Sequence, residues 1–461
     1  MKQKRSKLST IDKCDIYVSE FAKKLILAIM LAIPIIQVIR LCSMFTGSTW
    51  LYDSLNVSWI VYISLPAMLF IYLYKIIRKM YKIGIKDYIL YVLTILAIIS
   101  TVGAVDIRVS LYGLSDRFEG VFTIIFYYLL VLVASSLDDR KFNHKVVNVF
   151  IGIGIFQVIY AIYQVIVRPM WVLGFVFPWM ANAFCGNPNF FGALMAMELM
   201  LTISLYLFSD DNKTFYFVVS IFFAFGLVLS NSFGPLTGIS VASIVLLAIV
   251  WKKYKNILKK CILILIVSAL TILVGAYAVD EHCKNKFADE PISGYTLRSD
   301  FDEILGVIFN RNEDVIENNI SSENVEEANP ISMVNGRSMV WGRATELAKE
   351  HFWFGAGLDN FATIYQQRYG EYIDKAHNIY LNILVTNGVF ALIGYIALIL
   401  YILVKAFKSL NETTIVLLSV FICYIVQAFF SINVLVVVPY FYIITGLLLG
   451  VSEVRVNSKK R

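Results

Sequence analysis

Charge is scarce in this sequence. Only 16% of its 461 residues are Asp, Glu, Lys or Arg, against 59% that are hydrophobic. That is too little charge to cover a water-facing surface of this size, which argues against a soluble globular protein. The six cysteines, Cys14, Cys42, Cys185, Cys261, Cys283 and Cys423, form no CxxC and have no histidine beside them at ligand spacing. Neither a redox motif nor a required metal is expected. Cys185 and Cys283 fall on the same expected face of the membrane, but spacing alone gives no reason to join them. The basic N-terminus lacks a convincing cleavage site, so the apolar run after it reads as a retained span, not a signal peptide. No internal repeat is visible, which counts against a transporter built from two matching halves.

Long apolar runs are what the sequence has. A bilayer core of ~30 Å takes about 20 residues of helix, and roughly twelve such runs follow one another from Leu25–Met44 to Leu435–Val451. They do not alternate as barrel strands would, and strands have no water partners for their backbone inside lipid. The expected fold class is all-α: a polytopic membrane protein of about twelve transmembrane helices. The net charge of +7 does not imply nucleic acid, because its distribution follows the membrane. If the N-terminus is cytoplasmic, most basic residues lie inside, including the run Lys252–Lys260 and the tail Lys459-Lys460-Arg461. The short loops opposite hold only Arg40, Arg108, Arg117 and Arg168. This asymmetry predicts both termini inside.

One connection is long. It divides the chain into a membrane bundle of about nine helices at 1–279, an extracytoplasmic loop at 280–376, and three further spans at 377–461. The stretch Arg311–Pro330 is acidic and poor in large apolar residues, as mobile segments are. After it, Val340, Trp341, Ala344, Leu347 and Ala348 recur at helical spacing and predict an amphipathic helix over Arg337–His351. Gly355 and Gly357 end it.

Four segments on the expected outer face carry a family resemblance. They are Leu111-Tyr112-Gly113 with Arg117, Glu119 and Gly120; Gly186-Asn187-Pro188-Asn189-Phe190-Phe191-Gly192; Gly336-Arg337 with Trp341 and Phe354-Gly355-Ala356-Gly357; and His377-Asn378, nine residues, then Gly388. Each is weak alone. In this order and on one side, they resemble the O-antigen ligase and Wzy-type polymerase superfamily. Two departures stand out. Ala391 replaces the Gly, Thr or Tyr that usually closes the His motif. Phe233 occupies the turn Ser230–Pro235 where many members carry an Arg.

The resemblance implies a membrane glycosyltransferase of the bacterial inner membrane. Its donor is a glycan on a polyprenyl diphosphate, and its acceptor is a hydroxyl of a glycan, lipid or protein. No cofactor and no nucleic acid enter. Polymerising repeat units and ligating finished glycan differ only in the acceptor. The leaving diphosphate needs positive charge, which Arg supplies bidentately at any working pH. Arg337, at the start of the amphipathic helix, is the expected catalytic Arg, and Arg117, Arg343 or Arg168 is available for the one missing at Phe233. The attacking hydroxyl needs a base, and His377 has the right intrinsic pKa and the right depth. His144, His282 and His351 lie in ordinary loop or helix-end positions.

Asn187, Asn189, Trp341, Gly355, Gly357 and Asn378 complete the expected substrate-binding set. Glu198 joins it because an ionisable group inside a span is a functional hypothesis by default. Trp171 and Trp179 are placed to line a sugar site. Gln157 and Gln164, with Gln427, read as glue between helices. The rival reading is a twelve-span secondary transporter or flippase of lipid-linked oligosaccharide, in which Glu198 matters more than His377. A peptidoglycan polymerase of the shape and division type would share the donor chemistry, but its motifs are absent.

Overall fold

The computed structural model describes residues 10–45, 55–115, 117–137, 139–167, 170–172, 175–177, 180–286, 296–299, 301–302 and 333–458. The described chain is helical except for one small hairpin, Met170–Val172 (β1) against Phe175–Phe177 (β2). Ten helices are long and apolar enough to cross a membrane, and Val121–Ser135 and Val438–Glu453 are shorter apolar helices. Together they account for all twelve expected runs. The stretch Arg311–Pro330, Arg168 and Trp179 lie outside the described residues, as does the side chain of Trp171.

The spanning helices are α1 (Thr10–Phe45), α2 (Ser58–Ile77), α3 (Ile85–Val102), α5 (Val121–Ser135), α6 (Arg140–Ile166), α7 (Pro188–Phe208), α8 (Lys213–Ser230), α9 (Gly234–Lys253), α10 (Leu258–Lys286), α14 (Val389–Lys408), α15 (Glu412–Gln427) and α16 (Val438–Ser458). A short α4 (Ile107–Tyr112) sits between α3 and α5. Helix α7 is the axis, with 94% of its apolar window buried. It packs against α8, α9 and α15. It has no polar face to turn outward, and small or flexible residues such as Gly192, Ala193, Met195 and Ala196 let neighbours close on it. Helix α14 shows the opposite pattern. Tyr395, Leu398 and Ile402 are buried, while Phe390, Ile393, Leu400 and Val404 are exposed. A helix that is apolar all round yet half exposed is facing lipid.

Polar residues define the two ends. Helix α6 starts on Asp139, whose carboxylate accepts from the Lys141 and Phe142 amides, and α7 starts on Asn187, which accepts from the Asn189 amide. Such caps stabilise by about 1 kcal/mol each. The beginning of α1 and the ends of α2 and α16 share one end of the bundle, where Arg78 bonds Asp15 and Lys86 bonds Glu453.

At the opposite end a small helical unit covers the bundle. It consists of α11 (Met333–Glu350), α12 (Phe361–Tyr369) and α13 (Ile379–Asn387). Val340, Ala344, Leu347 and Ala348 are buried against Phe361, Tyr365 and Val385, so the amphipathic face is the one the periodicity marks. Trp341 reaches across to Phe430, with ring centroids 6.1 Å apart. Among the boundaries that differ from expectation, α1 begins at Thr10, well before Leu25. Helix α11 begins four residues earlier, so Arg337 sits one turn inside it and does not open it; the helix N-terminus adds no anion site at that residue. Helix α10 continues to Lys286, and Asp280 within it is buried under Arg298 and Lys284.

Candidate functional site

The nine-residue spacing between Asn378 and Gly388 is the length of one helix. Asn378 caps the start of α13, accepting from the Tyr380 and Leu381 amides. Gly388 ends it at φ +83°, donating to the Ile383 and Leu384 carbonyls. This short helix carries the His377 turn at one end and a junction with the Gly355 segment at the other. Ala356 and Gly357 donate to the Val385 and Thr386 carbonyls at 3.0 Å, and Val389 donates to Phe352 at 2.8 Å. A Cβ on Gly355 would lie 2.2 Å from Thr386, and one on Gly388 would lie 2.2 Å from the Trp353 carbonyl. Backbones at this distance leave no room for a side chain, so here glycine is needed for close approach.

The same segment locks onto the chain around α4. The Val105 amide donates to Ala356, and Asn360 donates from its amide to Asp106 and Ser110. Asp359 accepts from the Leu114 amide at 2.8 Å. The first, third and fourth motifs therefore form one body. The second joins through Arg117, whose guanidinium lies over the Phe190 ring at 5.6 Å.

On this body sits an open pocket of about 260 Å³, lined by Arg117, Tyr372, Ile373, Asp374 and His377. Arg117 donates from both Nε, at 2.7 Å, and Nη2, at 2.6 Å, to Asp374 Oδ2. His377 Nε2 lies 3.6 Å from Asp374 Oδ1, just beyond a hydrogen bond. Burial lowers the His377 pKa first; Asp374 raises it, and the charges of Arg337 and Arg117 lower it again, with a net fall below the usual value. His377 is therefore neutral at pH 7 and able to accept a proton. Arg337 does not line the pocket, but its charge is near enough to lower the His377 pKa. Phe118, Asp359 and His377 all adopt left-handed backbone, at φ 56°, 58° and 52°. Such residues cost of order 1–3 kcal/mol each and persist where surrounding structure imposes them.

Directly inside the pocket lies a buried charge cluster. Lys375 Nζ is 2.8 Å from Glu119 Oε2 and 3.3 Å from Asp359 Oδ1, all three side chains at most 7% exposed. Tyr127 donates to Glu119 at 2.9 Å. Burial opposes the Lys375 charge, but Asp359 and Glu119 outweigh it and raise its pKa. Burial raises the Glu119 pKa, with Lys375 pulling the other way. The three line a cavity of about 50 Å³ with Asn382, Asn433 and Tyr442. Motif reading passes over Asp359, Asp374 and Lys375. The available signal was the alternation of charge beside each motif, Arg117-x-Glu119 against Asp374-Lys375.

The other expected residues lie as follows. Arg343 is held by Glu371 at 2.8 Å and by the Tyr365 hydroxyl at 3.0 Å, with Tyr369 under its guanidinium. Asn189 accepts from Ser232, which ties the α7 start to the turn that contains Phe233. Trp341 Nε1 is buried with no hydrogen-bond partner among the described residues. Gly357 packs on Ala104 and Ser110. Gln157 and Gln164 accept from the Phe184 and Ala183 amides, so they hold the loop before Gly186 and do not bridge helices. Gln427 is buried, and both polar atoms of its side-chain amide lack partners among the described residues. Glu198 is fully buried in α7 against Gly154 and Phe223, its carboxyl oxygens without partners among the described residues. It does not line the His377 pocket. Cys185 and Cys283 are buried free thiols.

No curated protein matches the chain. A family model described as O-antigen ligase does match, from the middle of α8 to the first half of α14. The matched segment contains Arg337, Asp374, His377 and Gly388; Arg117 and the Asn187 motif lie before it. Residues 218–396 thus carry an O-antigen ligase domain, which supports the placing of this chain in the O-antigen ligase and Wzy superfamily.

Proposed function

We propose that the protein transfers glycan from a polyprenyl-diphosphate donor to an acceptor hydroxyl at the outer face of the bacterial plasma membrane, as a repeat-unit polymerase or a ligase. The family match supports a membrane glycan-transferring enzyme in general terms. The observation that carries the finer reading is the shared pocket of Arg117 and His377 under the field of Arg337. In this reading the two guanidiniums hold the diphosphate and stabilise the charge that grows as it leaves. His377 takes the acceptor's proton. Arg117 stands in for the arginine absent at Phe233. Both termini lie inside, and the α11–α13 unit faces out, in line with the basic residues gathered at the terminus end.

Replacing His377 with Ala is expected to lower turnover about 10²–10⁴-fold without loss of membrane insertion, read as surface glycan in a complemented deletion strain. Glu198→Gln, made in parallel, leaves product intact. The reverse outcome would favour a transporter. Single repeat units in the deletion strain indicate a polymerase, and full-length chains stranded on carrier lipid indicate a ligase. The pH profile gives a second test. His377 must be neutral to act, and its pKa is lowered, so kcat/KM falls only as pH drops below about 6.5.

A further inference from the structure

Asp374 stands between the two groups that the proposed reaction needs. Its Oδ2 occupies both Nε and Nη2 of Arg117, and its Oδ1 stops 3.6 Å short of His377 Nε2. That Nε–Nη2 edge is the one a guanidinium offers to a phosphoryl group bidentately. An incoming diphosphate therefore competes with Asp374 for the same two donors, and its charge repels the carboxylate. Displaced from Arg117, Asp374, whose Oδ1 also accepts from the Lys375 amide, has the His377 imidazole N–H less than 1 Å beyond hydrogen-bond reach.

We propose that Asp374 is a positioning residue that exchanges partners: the anion of the donor takes Arg117, and the released carboxylate moves onto His377 and strengthens it as a base. The inference rests on the reading of this pocket as a diphosphate site. It makes basicity depend on an occupied donor site, so acceptor hydroxyls are not activated without a donor. The charged groups that face His377 are Asp374 from its own turn, Arg337 from α11 and Arg117 from the turn before α5. Lys375 next door is turned inward to Glu119 and Asp359. Of these, Asp374 alone raises the ring's proton affinity. It is also the group that an anion on Arg117 would release.

The test uses the full chain in lipid nanodiscs, with inorganic pyrophosphate as the probe. Deuterium exchange at the imidazole C2 position, read by mass spectrometry on the His377 peptide, gives the pKa of that ring alone. Pyrophosphate is expected to raise it in the native chain by about one unit, a tenfold change in protonation. In Asp374→Asn the increment falls to half or less, because only the direct charge of the anion remains, and Asp374→Glu restores it. Arg117→Lys gives an independent arm that does not depend on Asp374→Asn folding. It removes the forked edge, so the His377 pKa starts higher and pyrophosphate adds little. Equal increments in the native and Asp374→Asn chains overturn the exchange and leave the anion site standing, as does a full increment from an unchanged start in Arg117→Lys. No increment in any chain overturns both.

Discussion

At the terminus end of the bundle, ion pairs join helix to helix one at a time. Arg78 meets Asp15, and Lys23 meets Asp139, with both partners of each pair at least partly in water. Two lysines at this end are buried: Lys75 donates to the Ser136 carbonyl and hydroxyl, and Lys86 pairs with Glu453. At the site end the charges are stacked in depth on loops. Arg117–Asp374 lines the pocket, and Lys375 lies behind it between two buried carboxylates. The backbone around them is left-handed at Phe118, Asp359 and His377, as it also is at Lys79 beside Arg78. The partly exposed pairs Arg78–Asp15 and Lys23–Asp139 are thus of the kind that is individually dispensable. At the site end one buried lysine lies between two buried carboxylates, so each of the three depends on the others.

That contrast predicts its own largest failure. Lys375→Met leaves Glu119 and Asp359 facing each other without a cation. Breaking a buried pair in this way costs about 3–5 kcal/mol, visible as a fall in melting temperature in detergent. Neutralising both acids in the same chain, as Glu119→Gln and Asp359→Asn, recovers much of it. A Lys375→Met protein as stable as the native one would show that the cluster contributes nothing. Gly388→Ala comes next. It adds an unfavourable φ and a Cβ 2.2 Å from a carbonyl, about 3 kcal/mol together. Gly370→Ala shares the φ, at +74°, but has nothing within 4 Å of the new atom. Its expected cost is about 1 kcal/mol, and the difference between the two variants measures the interlock of the Gly355 and Gly388 segments.

The same contrast explains what the sequence revealed and what it hid. The spans were legible because lipid imposes a length and a composition on each helix separately. The face Val340–Ala348 was likewise a local fact, written in period, whereas the separate helix Ile379–Asn387 inside the His377 motif came only with the structure. The pocket was legible as far as motifs reach: Arg117 and His377, which line it, each sit beside one. Asp359, Asp374 and Lys375 were not, because their meaning lies in partners some 240 or more residues away. Arg343 looked equivalent to Arg117 in sequence, and only packing shows it saturated by Glu371 and Tyr365. Gln157 and Gln164 were read as bridges between helices because nothing local reveals that the chain after β2 folds back onto them.

The smallest effect belongs to the terminus end, and it decides whether the two ends truly differ. Arg78→Ala removes a pair whose members are 36% and 20% exposed. Water already solvates both charges, so their attraction is weak, and the alanine leaves Asp15 with the Tyr74 hydroxyl at 2.9 Å. The expected loss is small, and it shrinks further between 0.1 and 1 M salt, where the screening length drops from ~10 to ~3 Å. The loss from Lys375→Met must not shrink, because no counter-ion reaches side chains that are 1–7% exposed. Salt dependence is therefore a sharper measurement than the size of either loss. An Arg78→Ala effect that is large and unaffected by salt would mean that this exposed pair behaves as a buried one does, and exposure would no longer separate it from the Lys375 cluster.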